Sequence, residues 1–326
     1  MTVNGQDPML YKNTVFSNRK DFYIAYLKTD DEARSFFAEL RWGCIDQQTC
    51  PHCGVIRAHR YVRLQKRWKC RDCYRAFSVT SETVFHCHKL PLQLILGAIV
   101  LYANAVKGIS ALQMSGDLNV QYKTAFVLLH KVRETLWHAI GETLLGGEVE
   151  IDGGYVHTYV RPKNKKKDRP NKTLAENQNP DKCIMLVLRE RHPQKKKGAK
   201  KTSIFILKSE NQRDINAMVR ANVHPGAVIF TNEGPGFSVL SAGWEHRVVN
   251  HSQEYSANDG TNENRAESFI SRFRRMMMGQ IHRLARKYLD IYSNEIAYRE
   301  DSRQTSNGSI VKDMVAKCLG LGPSRD

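Results

Sequence analysis

Two Cys-x-x-Cys pairs, Cys50-Pro51-His52-Cys53 and Cys70-Arg71-Asp72-Cys73, stand 16 residues apart and limit what the N-terminal third can become. Two thiolates from each of two tight turns form the donor set of a tetrahedral Zn²⁺, and short strands must bring the turns together. Tyr61, Val62, Leu64, Trp68, Phe77 and Val79 alternate with Arg60, Arg63, Lys66, Arg67, Lys69 and Arg75, the pattern of a β zinc ribbon with a basic face. Such a face either contacts DNA or only solvates a structural metal site. Cys44, His52, His59, Cys87 and His88 are spare donors, expected not to ligate because four thiolates already complete the shell. Paired and scattered cysteines do not make a disulfide framework, so a reducing compartment is expected.

Charge points to the partner. Fifty Lys and Arg against 33 Asp and Glu give a formal charge of +17, too large an excess to be neutralised by the protein's own acids. A polyanion is the expected ligand. The chain is 41% hydrophobic, normal for a packed protein rather than a disordered tail. No stretch reaches the roughly 20 apolar residues of a bilayer span, and residues 1–18 lack a basic-then-apolar signal pattern. A cytoplasmic location is the resulting expectation.

Helices flank the ribbon. Asp30 to Gly43 reads as a helix with an acidic first turn and a glycine stop. Leu90 to Ala105 reads as an apolar helix with Pro91 in its first turn. Ile109 to Val120 and Gln121 to Arg133 read as a short helix, a tight connection and a second helix, the helix-turn-helix pattern. Gln121, Tyr122, Lys123 and Lys131 would either approach DNA or form a solvated helix face.

The remainder has α/β character. Glu148 to Val156 is an alternating run that delivers Asp152 and is expected to break on Gly153-Gly154, with Val149 and Ile151 facing one side and Glu150 and Asp152 the other. Asp152 alone is either a strand-end acid or a metal ligand. Cys183–Arg189 and Ser203–Leu207 read as a hairpin, Asn211–Asn222 as a helix and Ala227–Asn232 as a hydrophobic strand. Phe237–Ala242 reads as a helix, Glu245–His251 as a strand, and Asn264 opens a long helix with Glu267 in its first turn and Phe269 and Phe273 on one face. Lys165, Lys166 and Lys167 lie in one basic connection and Lys195, Lys196 and Lys197 in another; together they favour phosphate contact over simple solvation. Three strands, a helix, a strand, a helix, a strand and a helix predict a mixed five-stranded sheet in which the first and fourth strands are neighbours, the order of the RNase H-like fold.

These residues together resemble the DDE transposases of bacterial insertion sequences that carry an N-terminal zinc ribbon and a helix-turn-helix. The resemblance covers about residues 28 to 300 and rests on Arg41-Trp42 before the first knuckle, Phe77-Ser78-Val79-Thr80-Ser81, Thr83-Val84-Phe85-His86, Lys123-Thr124-Ala125, Glu150-Ile151-Asp152, Thr231-Asn232-Glu233-Gly234, His246 to His251, Asn264 with Glu267-Ser268-Phe269, and Gly279-Gln280-Ile281-His282. It implies an N-terminal helical segment (1–43), a ribbon (44–88), a helix-turn-helix domain (89–145), an RNase H-like catalytic domain (146–303) and a tail (304–326). It further implies that Asp152 and Glu267 are the first and third catalytic carboxylates, holding two Mg²⁺ or Mn²⁺ ions beside the structural Zn²⁺. Asn264 and His251 would belong to the site, while Arg274 and Arg275 would reach phosphates. The implied substrates are terminal inverted repeats and target DNA, cut and joined by a homodimer at the bacterial nucleoid. Position 232 should carry the second carboxylate, but Asn stands there, with 34 residues between it and Glu267. A neutral amide cannot share two cations, so strand cleavage is expected to be strongly reduced. Glu233, on a strand, would point to the opposite face. The alternative is a DNA-binding protein without catalysis, derived from such an enzyme.

Overall fold

A computed structural model describes residues 29–140, 143–160, 163–165, 181–194, 198–249 and 264–324. The chain divides into two compact units, residues 1–139 with 302–326, and residues 140–301.

The first unit starts with α1 (Asp30–Trp42), whose N-terminus is capped by Thr29 Oγ1 accepting from Glu32 N at 3.2 Å and whose end is closed by Gly43 at φ 76°. β1 (Gln48–Thr49) pairs antiparallel with β2 (Ile56–Arg57), and β3 (Arg60–Val62), β4 (Arg67–Lys69) and β5 (Ala76–Phe77) form a second antiparallel sheet. Trp68 stacks on Phe77, and Trp42 of α1 meets Trp68 edge-on at 5.3 Å, so the helix end and the ribbon share an aromatic core. Leu64, grouped by alternation with the apolar residues, is instead 100% exposed, because Arg63–Gln65 form a 3₁₀ turn that interrupts the strand period. α2 (Leu92–Asn104) is nearly all apolar; Pro91 precedes it at the cap, and Asp30 Oδ1 accepts from Leu92 N at 2.6 Å. α3 (Ala111–Leu118) is capped by Ser110, turns at Asn119 with φ 52°, and is followed after two residues by α4 (Tyr122–His138).

The second unit is built on a five-stranded mixed sheet. β6 (Glu148–His157), β7 (Lys182–Arg191) and β8 (Ala199–Leu207) are antiparallel neighbours in sequence order. After α5 (Gln212–Asn222), capped by Asn211 Oδ1 on Asp214 N, β9 (Val228–Asn232) returns parallel to β6, and a 3₁₀ segment Pro235–Ala242 leads to β10 (Glu245–Val249), parallel to β9. The order is β10-β9-β6-β7-β8, so the first and fourth strands of this unit are neighbours, as the succession of elements predicts. α6 (Asn264–Met276) and α7 (Leu289–Asp301) cover one face through Phe269, Phe273, Tyr292 and Ile296 against Val156, Met185 and Val187. The other face buries Val149, Ile151, Leu186 and Ile229 against Ile215, Val219 and Leu240. α6 ends in a π-turn at Met277–Ile281; of the three methionines read as packing, Met276 is buried and Met278 exposed.

β6 does not break on its glycines as expected. It runs through Gly153 and Gly154 to His157, because the space a Cβ would need at Gly154 is filled by Ile270 of α6. Residues 304–326, expected as a C-terminal tail with one short helix over Ile310–Leu319, hold a longer helix than expected. They contain α8 (Asn307–Gly320), which buries Val311, Met314, Val315 and Cys318 and packs with α1, α2 and α4 of the first unit. No helix among the described residues is long and apolar enough to cross a membrane.

Candidate functional site

The four knuckle sulfurs lie within 4.8 Å of one another, with Cys50 Sγ 3.7 Å from Cys73 Sγ and Cys53 Sγ 3.6 Å from Cys70 Sγ. Four sulfurs bound about 2.3 Å from one Zn²⁺ in a tetrahedron stand about 3.8 Å apart, so the donor set fits zinc without rearrangement. His59, one of the spare donors, also comes within ligand range of Cys70 and Asp72. Its buried ring accepts from Arg71 N at 3.3 Å and lies edge-on to Phe77 at 5.3 Å, which props the second knuckle.

In the second unit the β6–β9 register places Glu150 opposite Phe230, so Asn232 at the end of β9 and Asp152, two residues past the last β6–β9 pair, emerge on the same face. Asp152 is 8% exposed. Its Oδ1 accepts from Gly153 N at 2.7 Å and from Asn232 Nδ2 at 3.2 Å, while Asn232 Oδ1 accepts from Gly234 N at 2.9 Å. Both polar atoms of Asn232 are therefore engaged. Glu233 is exposed beyond the strand.

Glu267 reaches this neighbourhood on α6. Glu150 Oε2 accepts from Arg265 N and Ala266 N at 2.8 and 3.3 Å, and Ile270 sits on Gly154. The first turn of α6 thus runs beside the strand segment whose middle residue is Asp152. Asn264 and Glu267 are both exposed there. His251 lies outside the described residues, as do Lys166, Lys167, Lys195, Lys196 and Lys197. His246 Nε2 meets Thr231 Oγ1 at 2.8 Å; burial pushes the imidazole below its ordinary pKa, and the Thr231 side of β9 is opposite to that of Asn232.

The alternation of β6 places Glu150 beside Asp152 but does not reveal its partners. Glu150 is 0% exposed and also accepts from Arg191 Nε at 2.7 Å and Arg265 Nη1 at 2.6 Å, so two guanidiniums balance its buried charge. Glu210, unmarked by any motif, folds back over Gly153, its Oε1 2.5 Å from where a Cβ would stand, and burial raises its pKa. An acid in an apolar-alternating run, within the Glu150-Ile151-Asp152 motif, was the sequence signal for Glu150; Glu210 left none.

The basic residues divide. Gln121, Tyr122 and Lys123 are exposed at the start of α4, and Lys165 and Arg275 are exposed in the second unit. Arg274 donates from Nη2 to Tyr155 O at 3.1 Å and remains exposed. Lys131 is a correction to the helix-face reading: its Nζ donates to Val84 O at 2.7 Å, and burial lowers its pKa. It ties α4 to the loop after the ribbon instead of facing outward.

Residues 144–301 match the ISXO2-like transposase domain and residues 28–76 the transposase zinc-ribbon domain. An uncharacterized protein in transposable element ISH50 of Halobacterium salinarum is 27% identical over 203 residues, 57% of this chain and 65% of that protein, so the chain spans just under two thirds of its relative. Among solved structures, the Mos1 strand transfer complex is 13% identical with a TM-score of 0.25, covering 66% of this chain and 77% of that one. A pre-cleavage Mos1 transpososome is likewise 13% identical with a TM-score of 0.25, covering 69% and 77%. With a four-thiolate ribbon and a five-stranded mixed sheet each falling in the matched region that names it, the chain belongs to the insertion-sequence transposases of the IS1595 type, which join a zinc ribbon to a transposase domain.

Proposed function

We propose that this transposase has an RNase H-like, DDE-type site formed by Asp152, Asn232 and Glu267, and that Asn232 holds its strand cleavage and strand transfer at low or zero rate. In this reading the ribbon and the α3–α4 helix-turn-helix bind terminal inverted repeats in double-stranded DNA. Asn264, His251 and the basic residues Arg274 and Arg275 position the phosphates, and two copies of the chain bring two ends together. The observation that supports it most is the meeting of Asp152, in the middle of β6, with position 232 at the end of the parallel strand β9, beside the helix that carries Glu267.

At sites of this class Mg²⁺ or Mn²⁺ activates a water or 3′-hydroxyl and stabilises the charge that builds on the phosphate. The residues present do not fit a pair of such ions. An amide N–H points at the Asp152 oxygen a cation would need, and the Asn232 oxygen is already occupied by Gly234 N. The amide satisfies the carboxylate in place of a metal. A hydrogen bond to a charged group contributes about 1.5–3 kcal/mol, enough to keep the pair closed without an ion.

Asn232→Asp tests the reading. Two carboxylates at this separation repel, so the variant should melt several degrees below the native protein in chelator and regain that loss in Mg²⁺ or Mn²⁺. It should also gain cation-dependent nicking of a duplex carrying the element's terminal repeat. If neither a cation-dependent melting shift nor nicking appears, the catalytic assignment fails and a non-catalytic DNA-binding protein is the better description.

A further inference from the structure

Among the described residues, the pairing of β6 with β9 covers only Glu148–Glu150, whereas β7 accompanies β6 to His157. Along the half beyond Glu150 the alternation of the strand buries Val156 and Thr158 but turns Tyr155 outward, 46% exposed, and Tyr159 follows just past the strand, 40% exposed. Two large aromatic rings left 40–46% exposed forgo part of the roughly 1.5–3 kcal/mol that full burial of such a side chain contributes, so packing alone does not account for them. Each carries a cation. Lys182 Nζ stands 3.7 Å from the centre of the Tyr155 ring, and the Arg283 guanidinium 5.2 Å from that of Tyr159. Arg274, bonded to the Tyr155 carbonyl, adds a third positive group.

Exposed rings interleaved with cations are the physical elements of a surface for unpaired nucleotides: bases stack on the rings and phosphates meet the cations. An apolar protein partner would have no use for the cations, and intact duplex offers no base face to a tyrosine. We infer that Tyr155 and Tyr159, with Lys182 and Arg283, form a stacking platform for single-stranded DNA at the far end of β6, on the face of the strand opposite to Asp152. This rests on the DNA-processing reading above and adds to it the state of the strand that lies there.

The test uses full-length, zinc-loaded protein and two probes, a blunt duplex and the same duplex with a single-stranded tail containing 2-aminopurine. The native protein should prefer the tailed duplex and quench the 2-aminopurine. Tyr155→Ala with Tyr159→Ala should weaken tailed binding roughly five-fold or more for each stacked base while leaving the blunt duplex unaffected. Tyr155→Phe with Tyr159→Phe should keep both the preference and the quenching. A tail preference that survives the alanine pair, an equal loss on both probes, or a phenylalanine pair that behaves like the alanine pair overturns the inference. Binding of the blunt duplex alone defeats the platform only; binding of neither probe defeats the DNA-processing reading with it.

Discussion

A methyl group added at Gly154 would lie 2.6 Å from Ile270 Cγ2 and 2.9 Å from its Cδ1. Ile270 is buried among Phe269, Phe273 and Val156 and has no room to withdraw. Gly154→Ala should therefore cost about 1–3 kcal/mol, as overpacking of a filled core does, and the shift in urea midpoint measures it. An unchanged midpoint would mean that α6 lifts away freely. The same contact explains why two glycines that read as a break lie inside a strand. A Gly-Gly pair weakens local strand propensity, and nothing near it in sequence announces a helix that arrives more than a hundred residues later to cover it. Asp152 could be found by its motif and Asn232 recognised as a departure from it. The hydrogen bond between them depends on strand register, which no single stretch encodes.

At the scale of elements, Glu150 joins β6 to α6. A carboxylate taking two backbone N–H groups at the start of a helix satisfies donors the helix cannot satisfy itself and complements its dipole. With Arg191 and Arg265 also bonded to it, its neutral replacement weakens the Arg265 contact and leaves Arg191 to its pairing with the more exposed Glu148. Glu150→Gln should lower stability by about 2–4 kcal/mol, and hydrogen exchange should rise most in the first turn of α6, where Glu267 sits. Uniform loss of protection through β6, β7 and β8 would instead make Glu150 a general core residue. The elements themselves were largely legible because long periodic runs define them: α1, α2, α4, the hairpin and the parallel strands all fall near their expected limits. Lys131 was not, since a helix period places a residue on a face but does not say whether a carbonyl such as that of Val84 waits there.

On the scale of the whole chain, the zinc donors all belong to one compact unit, while the sheet with Asp152 and Asn232 and the helix with Glu267 belong to the other. α8 reinforces that division, because the chain's last helix returns to the unit that holds the ribbon, closing it around α1, α2 and α4. Structural zinc contributes on the order of 10–16 kcal/mol of apparent binding free energy in small zinc domains, and a ribbon with strands of two and three residues has little else to hold its knuckles. The second unit has two apolar faces, each sealed by its own helices. Removing zinc should thus melt the first unit and spare the second. Calorimetry of the full chain should resolve two transitions, of which a chelator strong enough to strip the four thiolates lowers one by tens of degrees and leaves the other within a degree or two. Limited proteolysis of the chelated protein should then cut within residues 44–88 and leave a resistant fragment spanning β6 to α7. A single transition that moves as a whole would show that the two units unfold together and that the metal in the ribbon sets the stability of the five-stranded sheet as well.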